Sequence, residues 1–136
     1  MITLTKDMET GVAKIDEQHK ELVKRLNAAI SMGTKSVSKE ETEKTLNFLG
    51  DYIVKHFSDE EALQRQCNYP KYDWHKEQHR IYVDDFKKLK EEFAANGPSA
   101  KFTVSLNTSL MNWIVKHIKT VDVELGKYYR EHSSQK

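Results

Sequence analysis

The amino-acid sequence predicts an all-α protein, an antiparallel up-down-up-down four-helix bundle with an N-terminal arm. Apolar residues recur at spacings of three and four over four long segments, which is the pattern of amphipathic helices. Glycine and proline are scarce, with five and two copies in 136 residues, and several of them mark the segment ends. No stretch shows the strict apolar-polar alternation of a half-buried strand.

Local signals bound each predicted helix. Gly33 follows the first periodic segment, and Ser38 with Glu41 has the spacing of a capping box, so a second helix should begin there. Pro70 fits the first turn of a third helix, which Gly97 should terminate. The connections are short, which favours antiparallel neighbours. Within a single domain of 1–136, we predict an arm over about 1–15 and helices over about 16–33, 39–66, 70–95 and 100–119, the last continuing after 122.

Composition excludes several classes of partner. The chain has 22 basic and 21 acidic side chains, a net charge of +1, so no single-sign field exists to attract nucleic acid or a membrane surface. Cys67 is the only cysteine, which rules out an internal disulfide and suits a reducing compartment. There is neither a signal-peptide pattern at the N-terminus nor a run of about 18 apolar residues. We therefore expect a cytoplasmic protein.

Five of the six histidines lie on the predicted buried faces, and Glu60 lies there with them. A lone histidine on an apolar face is more often a hydrogen-bonded core residue than a ligand. Burying five imidazoles and a carboxylate without compensation would cost several kcal/mol per poorly paired group, against a total stability of about 5–15 kcal/mol. Metal coordination removes that cost. The candidate ligands are His19, His56, Glu60, His75, His79 and His117.

The spacing of these residues supports coordination. His56 and Glu60, like His75 and His79, are four residues apart, so each pair lies within about 40° on one helix face. The set exceeds the four ligands of a tetrahedral zinc site, whereas two ions that share a bridging carboxylate account for all of it. The same ligands could also take manganese or zinc.

The positive charge of two metal ions requires a second acidic ligand besides Glu60. The candidate is Asp122, five residues after His117. On a regular α-helix, residue i+5 lies about 140° from residue i and faces the wrong way. We therefore predict that the helix loosens or breaks between Thr120 and Asp122, so that the carboxylate turns inward.

The ordered pattern H, H-x-x-x-E, H-x-x-x-H, H-x-x-x-x-D resembles the hemerythrins, and closely the bacterial single-domain ones. It is carried by His19, HFSDE (56–60), HKEQH (75–79) and WIVKHIKTVD (113–122), which together span most of the chain. The resemblance implies two iron ions bridged by Glu60, Asp122 and an oxo or hydroxo group. It assigns His75, His79 and His117 to one iron. His19 and His56 would hold the other, which keeps a vacant position for dioxygen.

The resemblance also implies an apolar oxygen pocket, whose matching residues are Leu22, Phe57, Trp113, Ile114 and Ile118. Relatives usually carry a tryptophan where this chain has Leu4, a change that would alter how the arm covers the site.

Reversible dioxygen binding for storage or delivery is the expected function, without enzymatic turnover. The Glu-x-x-His motif of di-iron oxidases does not occur. Two alternatives remain open. One is oxygen or redox sensing through a separate partner protein, and the other is peroxide or nitric oxide scavenging or iron-cluster repair.

Overall fold

A computed structural model describes residues 4–32, 38–97 and 99–133. Within these ranges the chain forms four long helices and no strand, which confirms the predicted all-α bundle. Helix α2 packs against α1 and α3, and the fourth helix packs between α1 and α3 on the other side. The helices are α1 (Ala13–Met32), α2 (Lys39–Gln66), α3 (Tyr72–Asn96) and α4, which is continuous over 100–133.

Side-chain caps fix where two of the helices begin. The Oγ of Ser38 accepts a hydrogen bond from the backbone N–H of Glu41 at 3.1 Å, which confirms the predicted start of α2. The Oγ of Ser99 accepts one from the N–H of Phe102 at 3.0 Å and begins α4 in the same way. At the end of α3, Gly97 has a φ of 71°, a region that glycine enters without steric cost.

Two boundary predictions need correction. Pro70 does not lie in the first turn of α3, which begins at Tyr72. The chain first closes the end of α2 through a hydrogen bond from Tyr69 N to Gln64 O, at 2.9 Å, and then turns before helical geometry resumes. Helix α1 begins at Ala13, so the arm is shorter than predicted. Gly33 and Pro98 lie outside the described residues.

Helix α4 differs from the others because it contains two wide, π-helical segments, Leu106–Met111 and Ile118–Asp122. Backbone angles remain helical at their junctions, so α4 runs on to residue 133 without the interruption predicted after 119. Two side-chain hydroxyl groups donate hydrogen bonds to backbone carbonyl groups in or beside these segments. The Tyr82 hydroxyl donates to Leu110 O at 3.1 Å, and the Thr120 hydroxyl donates to Lys116 O at 2.7 Å. The predicted loosening before Asp122 is confirmed.

The apolar faces of the four helices meet in one large core cluster. Leu22, Leu49, Leu106 and Ile114 are completely buried in it. Each such side chain stabilises the fold by about 1.5–3 kcal/mol relative to leaving it exposed. A smaller cluster of Cys67, Tyr69 and Leu125 lies where α2 ends, α3 begins and the last part of α4 passes. None of the described helices is long and apolar enough to cross a membrane.

The N-terminal arm is held against α1 and α4. The Asp16 carboxylate accepts hydrogen bonds from the backbone N–H and the hydroxyl of Thr10, both at 2.8 Å. Thr10 in turn lies against Gly126 of α4 so closely that a Cβ atom at Gly126 would overlap its carbonyl oxygen. Lys119, in the second π segment, forms an ion pair with Asp7 at 3.3 Å. The arm therefore covers the end of the bundle at which α1 begins and α4 ends.

Candidate metal centre

The seven predicted ligands meet at this end of the bundle, in its interior. Helix α1 supplies one of them, α2 two, α3 two and α4 two. All seven are buried, with between 0% and 4% of each residue exposed. Their ligand atoms form two overlapping groups, within each of which the atoms lie no more than 4.8 Å apart. The larger group contains Glu60, His75, His79, His117 and Asp122, and the smaller contains His19, His56, Glu60 and Asp122.

In the larger group, three imidazoles turn their Nε2 atoms toward one point. Nε2 of His75 lies 3.1 Å from Nε2 of His117 and 3.0 Å from Oε1 of Glu60. Nε2 of His79 also lies 3.0 Å from Oε1 of Glu60. Oδ1 of Asp122 is 3.1 Å from Nε2 of both His75 and His117. We call this set the three-histidine group.

In the smaller group, two imidazoles face the other oxygens of the same two acids. Nε2 of His19 lies 3.0 Å from Oδ2 of Asp122 and 3.8 Å from Oε2 of Glu60. Nε2 of His56 lies 3.4 Å from Oε2 of Glu60. We call this set the two-histidine group. Glu60 and Asp122 thus each present one carboxylate oxygen to each group, the arrangement that a bridging carboxylate needs.

Hydrogen bonding alone does not account for this cluster. Nε2 of His75 has three polar atoms within 3.1 Å, although an imidazole nitrogen carries at most one proton. Nε2 of His19, Nε2 of His56, Oε2 of Glu60 and both oxygens of Asp122 are buried without a hydrogen-bond partner among the described residues. Each such atom costs about 1–3 kcal/mol if it stays unpaired.

A metal ion satisfies these atoms together. The separations of 3.0–3.1 Å in the three-histidine group are short enough for one ion to contact all of these atoms. Imidazole and carboxylate together suit iron, manganese or zinc. The residues present therefore fit a metal centre.

Without a metal, the carboxylates favour the protonated forms of His19 and His75. Burial lowers the pKa of His19, but the neighbouring carboxylates of Asp122 and Glu60 outweigh it and raise that pKa to about 9. The same opposing effects raise the pKa of His75 to about 9. Burial raises the pKa of Glu60, yet its four histidine neighbours bring that pKa well below the ordinary value. A cation entering the site must therefore displace protons.

Gln18 and Glu61 orient two of the imidazoles, and the sequence analysis missed both. Oε1 of Gln18 accepts from Nδ1 of His56 at 2.8 Å, and the Gln18 amide nitrogen donates to Asp59 at 2.8 Å. Oε2 of Glu61 accepts from Nδ1 of His79 at 2.8 Å. Such bonds fix which ring nitrogen faces the metal. Their only signal in the sequence is that each acceptor adjoins a predicted ligand.

Of the five predicted pocket residues, two stack on candidate ligands and the other three are buried in the main core. Leu22, Ile114 and Ile118 are completely buried in the main core. The Phe57 ring stacks on His79 at a centroid distance of 3.9 Å and also packs at 5.7 Å from His56. Trp113 is only partly buried and stacks on His117 at 4.6 Å. The two aromatic rings therefore contact the three-histidine group most closely.

Fold and site together define a helical-bundle protein with a buried histidine and carboxylate metal centre. The chain belongs to the hemerythrin family: the model of the hemerythrin HHE cation binding domain matches residues 10–129.

Among its relatives is the bacteriohemerythrin of Campylobacter jejuni, 34% identical over 121 residues that make up 86% of each chain. That of Methylococcus capsulatus is 31% identical over 86% of this chain and 87% of its own. The bacteriohemerythrin of Stenotrophomonas maltophilia is 26% identical over 94% of this chain and 86% of its own.

Proposed function

We propose that the seven ligands bind two iron ions and that the chain uses this pair to bind dioxygen reversibly, for storage or delivery. One observation carries the proposal. The three-histidine group offers five protein ligand atoms, whereas the two-histidine group offers four. With one further oxo or hydroxo ligand shared between two six-coordinate ions, the first ion is complete and the second keeps one position for an outside molecule.

The residues around the two-histidine group suit a small uncharged ligand. When bound, two reduced iron ions supply the two electrons with which dioxygen is held. Leu22, three residues after His19 on α1, and Ile118, next to His117 on α4, have no exposed surface and would form a dry apolar wall. Such a wall limits the water and protons that would otherwise carry the ligand away in reduced form.

A surface cleft would provide a route to this group. It lies between the arm and the start of α1, and its lining includes His19, Leu4 and Met8. Met8 is buried against the main core, and Leu4 packs beside it. The arm is therefore placed to control how quickly small molecules reach His19, and Leu4 would set part of that rate.

The charge of the protein ligands supports reversible binding of dioxygen rather than oxidase chemistry. Five neutral imidazoles and two carboxylates give the metal pair less negative charge than a glutamate-rich set. High-valent iron is then stabilised less, which favours release of dioxygen over its consumption.

Spectra of the reduced, iron-loaded protein test the proposal. We expect a visible charge-transfer band when dioxygen is added, its loss on degassing, and its return over repeated cycles. Permanent oxidation on the first exposure would contradict reversible binding and favour sensing or scavenging. Metal analysis before the experiment should give two iron ions per chain, and a single ion would contradict the proposed centre.

A further inference from the structure

The candidate histidine ligands differ in how their outward-facing ring nitrogen, Nδ1, is held. Every candidate histidine ligand turns Nε2 toward the centre, so Nδ1 must carry the proton and needs an acceptor. His56 and His79 have such acceptors in Gln18 and Glu61, both at 2.8 Å. Nδ1 of His75 is buried and has no hydrogen-bond partner in the part of the chain that the structure describes, and the same is true of Nδ1 of His19.

A buried side chain on helix α2 also has unsatisfied polar atoms. Gln64 has no exposed surface, and neither its amide oxygen nor its amide nitrogen has a partner within 4–32, 38–97 and 99–133. A primary amide offers two N–H donors and one carbonyl acceptor. A buried glutamine with all of them unused is rare, because buried polar groups are nearly always hydrogen-bonded. A small polar molecule bound beside the Gln64 amide would satisfy these groups.

Glu60 and Tyr69 connect Gln64 with His75. Gln64 lies one helical turn after Glu60 on α2, so both side chains leave the same face. Oε1 of Glu60 is 3.0 Å from the other nitrogen of the His75 ring. Tyr69 covers the region from outside, because its backbone N–H donates to Gln64 O at 2.9 Å and its ring lies edge-on to His75 at 6.3 Å.

We propose that Gln64 and Nδ1 of His75 share one buried water molecule, which makes Gln64 a positioning residue for His75. The water accepts the Nδ1–H of His75 and donates to the amide oxygen of Gln64. This arrangement fixes the tautomer and ring orientation of His75, as Gln18 and Glu61 do for their histidines. A water with such polar partners is a normal part of a protein interior. The inference rests on the proposed metal centre.

Zinc-loaded protein labelled with ¹⁵N provides the test, because zinc is diamagnetic. In the wild-type chain we expect a slowly exchanging Nδ1–H resonance from His75. In Gln64→Leu this resonance should move and exchange quickly, and zinc affinity at the three-histidine group should fall by about 10–100-fold. Gln64→Glu, which restores an acceptor, should recover both. Gln18→Leu is the matched comparison and should alter His56 instead. Thr42→Val, a buried polar change remote on the same helix, should alter neither.

Three outcomes would contradict the proposed role of Gln64. If Gln64→Leu keeps the His75 resonance and the zinc affinity while raising the melting temperature, Gln64 is an unpaired core amide and the inference is wrong. If the wild-type chain binds neither zinc nor iron, the proposed centre fails and the inference fails with it. A loaded wild-type chain with an unresponsive Gln64→Leu variant overturns the inference alone.

Discussion

Nε2 of His117 lies 3.1 Å from Oδ1 of Asp122, although the two residues are five positions apart on one helix. The widened segment Ile118–Asp122 makes this contact possible, because a π-helical turn brings residue i+5 close to where i+4 lies in an α-helix. π-helical turns of this kind occur frequently at functional sites. Here the turn places the last carboxylate between the two groups of histidines.

Replacing His117 should remove a ligand from one group only. We expect His117→Ala to lose metal from the three-histidine group and to lower the melting temperature of the loaded protein, because coordination contributes to folding free energy. Metal content per chain and thermal unfolding measure the two effects. His132→Ala is the control, since His132 is exposed and its Nδ1 bonds to Tyr128 O near the end of α4. A fully loaded, equally stable His117→Ala variant would refute the ligand assignment.

Glu61 should tune metal affinity through His79. Its carboxylate accepts from Nδ1 at 2.8 Å and makes the ring a stronger donor. We expect Glu61→Gln to weaken metal binding by about 10–100-fold while the helices persist. Competition with a chelator measures the affinity, and circular dichroism the helix content. Glu77→Gln, an exposed acid on α3 that pairs with Arg80, should leave the affinity unchanged.

The metal-free protein should lose stability as the pH rises. The pKa values of His19 and His75 are raised from 6.5 to about 9 in the folded chain, so folding favours their protonated forms. Their contribution to stability is fully present below about pH 6.5 and is lost as the pH approaches 9. Denaturant unfolding of chelator-treated protein at several pH values measures the free energy. A flat profile across this window would contradict the proton-holding cluster.

Metal affinity should depend on pH in the opposite direction from the stability of the metal-free protein. Protons and metal compete for the same nitrogen atoms, so affinity should increase through the same pH window and binding should release protons. Titration of metal into weakly buffered protein with a pH indicator counts them. No proton release near pH 7 would mean that the imidazoles are already neutral there.

A side chain at Gly126 should detach the arm. The Cβ of Gly126→Ala would overlap Thr10 O, and such overpacking costs about 1–3 kcal/mol if the arm stays in place. We expect faster amide hydrogen exchange over residues 4–12 and quicker access of small molecules to His19, with metal content unchanged. Lys127→Ala, on the next residue, is the control. Loss of metal in Gly126→Ala would show that the arm supports the centre directly.

Local sequence signals were sufficient to predict the helical class, the start of α2 and the identity of the residues that converge. Apolar spacing, the Ser38 cap and the periodic placement of histidines are local signals, and each helix carries its own. The need for a loosened turn before Asp122 also followed from the chain alone, since it depends only on the geometry of one helix.

Which ligand atoms face one another became evident only from the packing of the four helices. The division of the Glu60 and Asp122 oxygens between two groups depends on four helices meeting at one place. The acceptors for His56 and His79 lie 38 and 18 positions away along the chain, so no local pattern reveals them. The continuous course of α4 through Asp122 was likewise evident only in the structure, where backbone angles stay helical at the junctions of both π segments. Local periodicity specifies each helix, whereas hydrogen bonds between helices arise only once the bundle has packed.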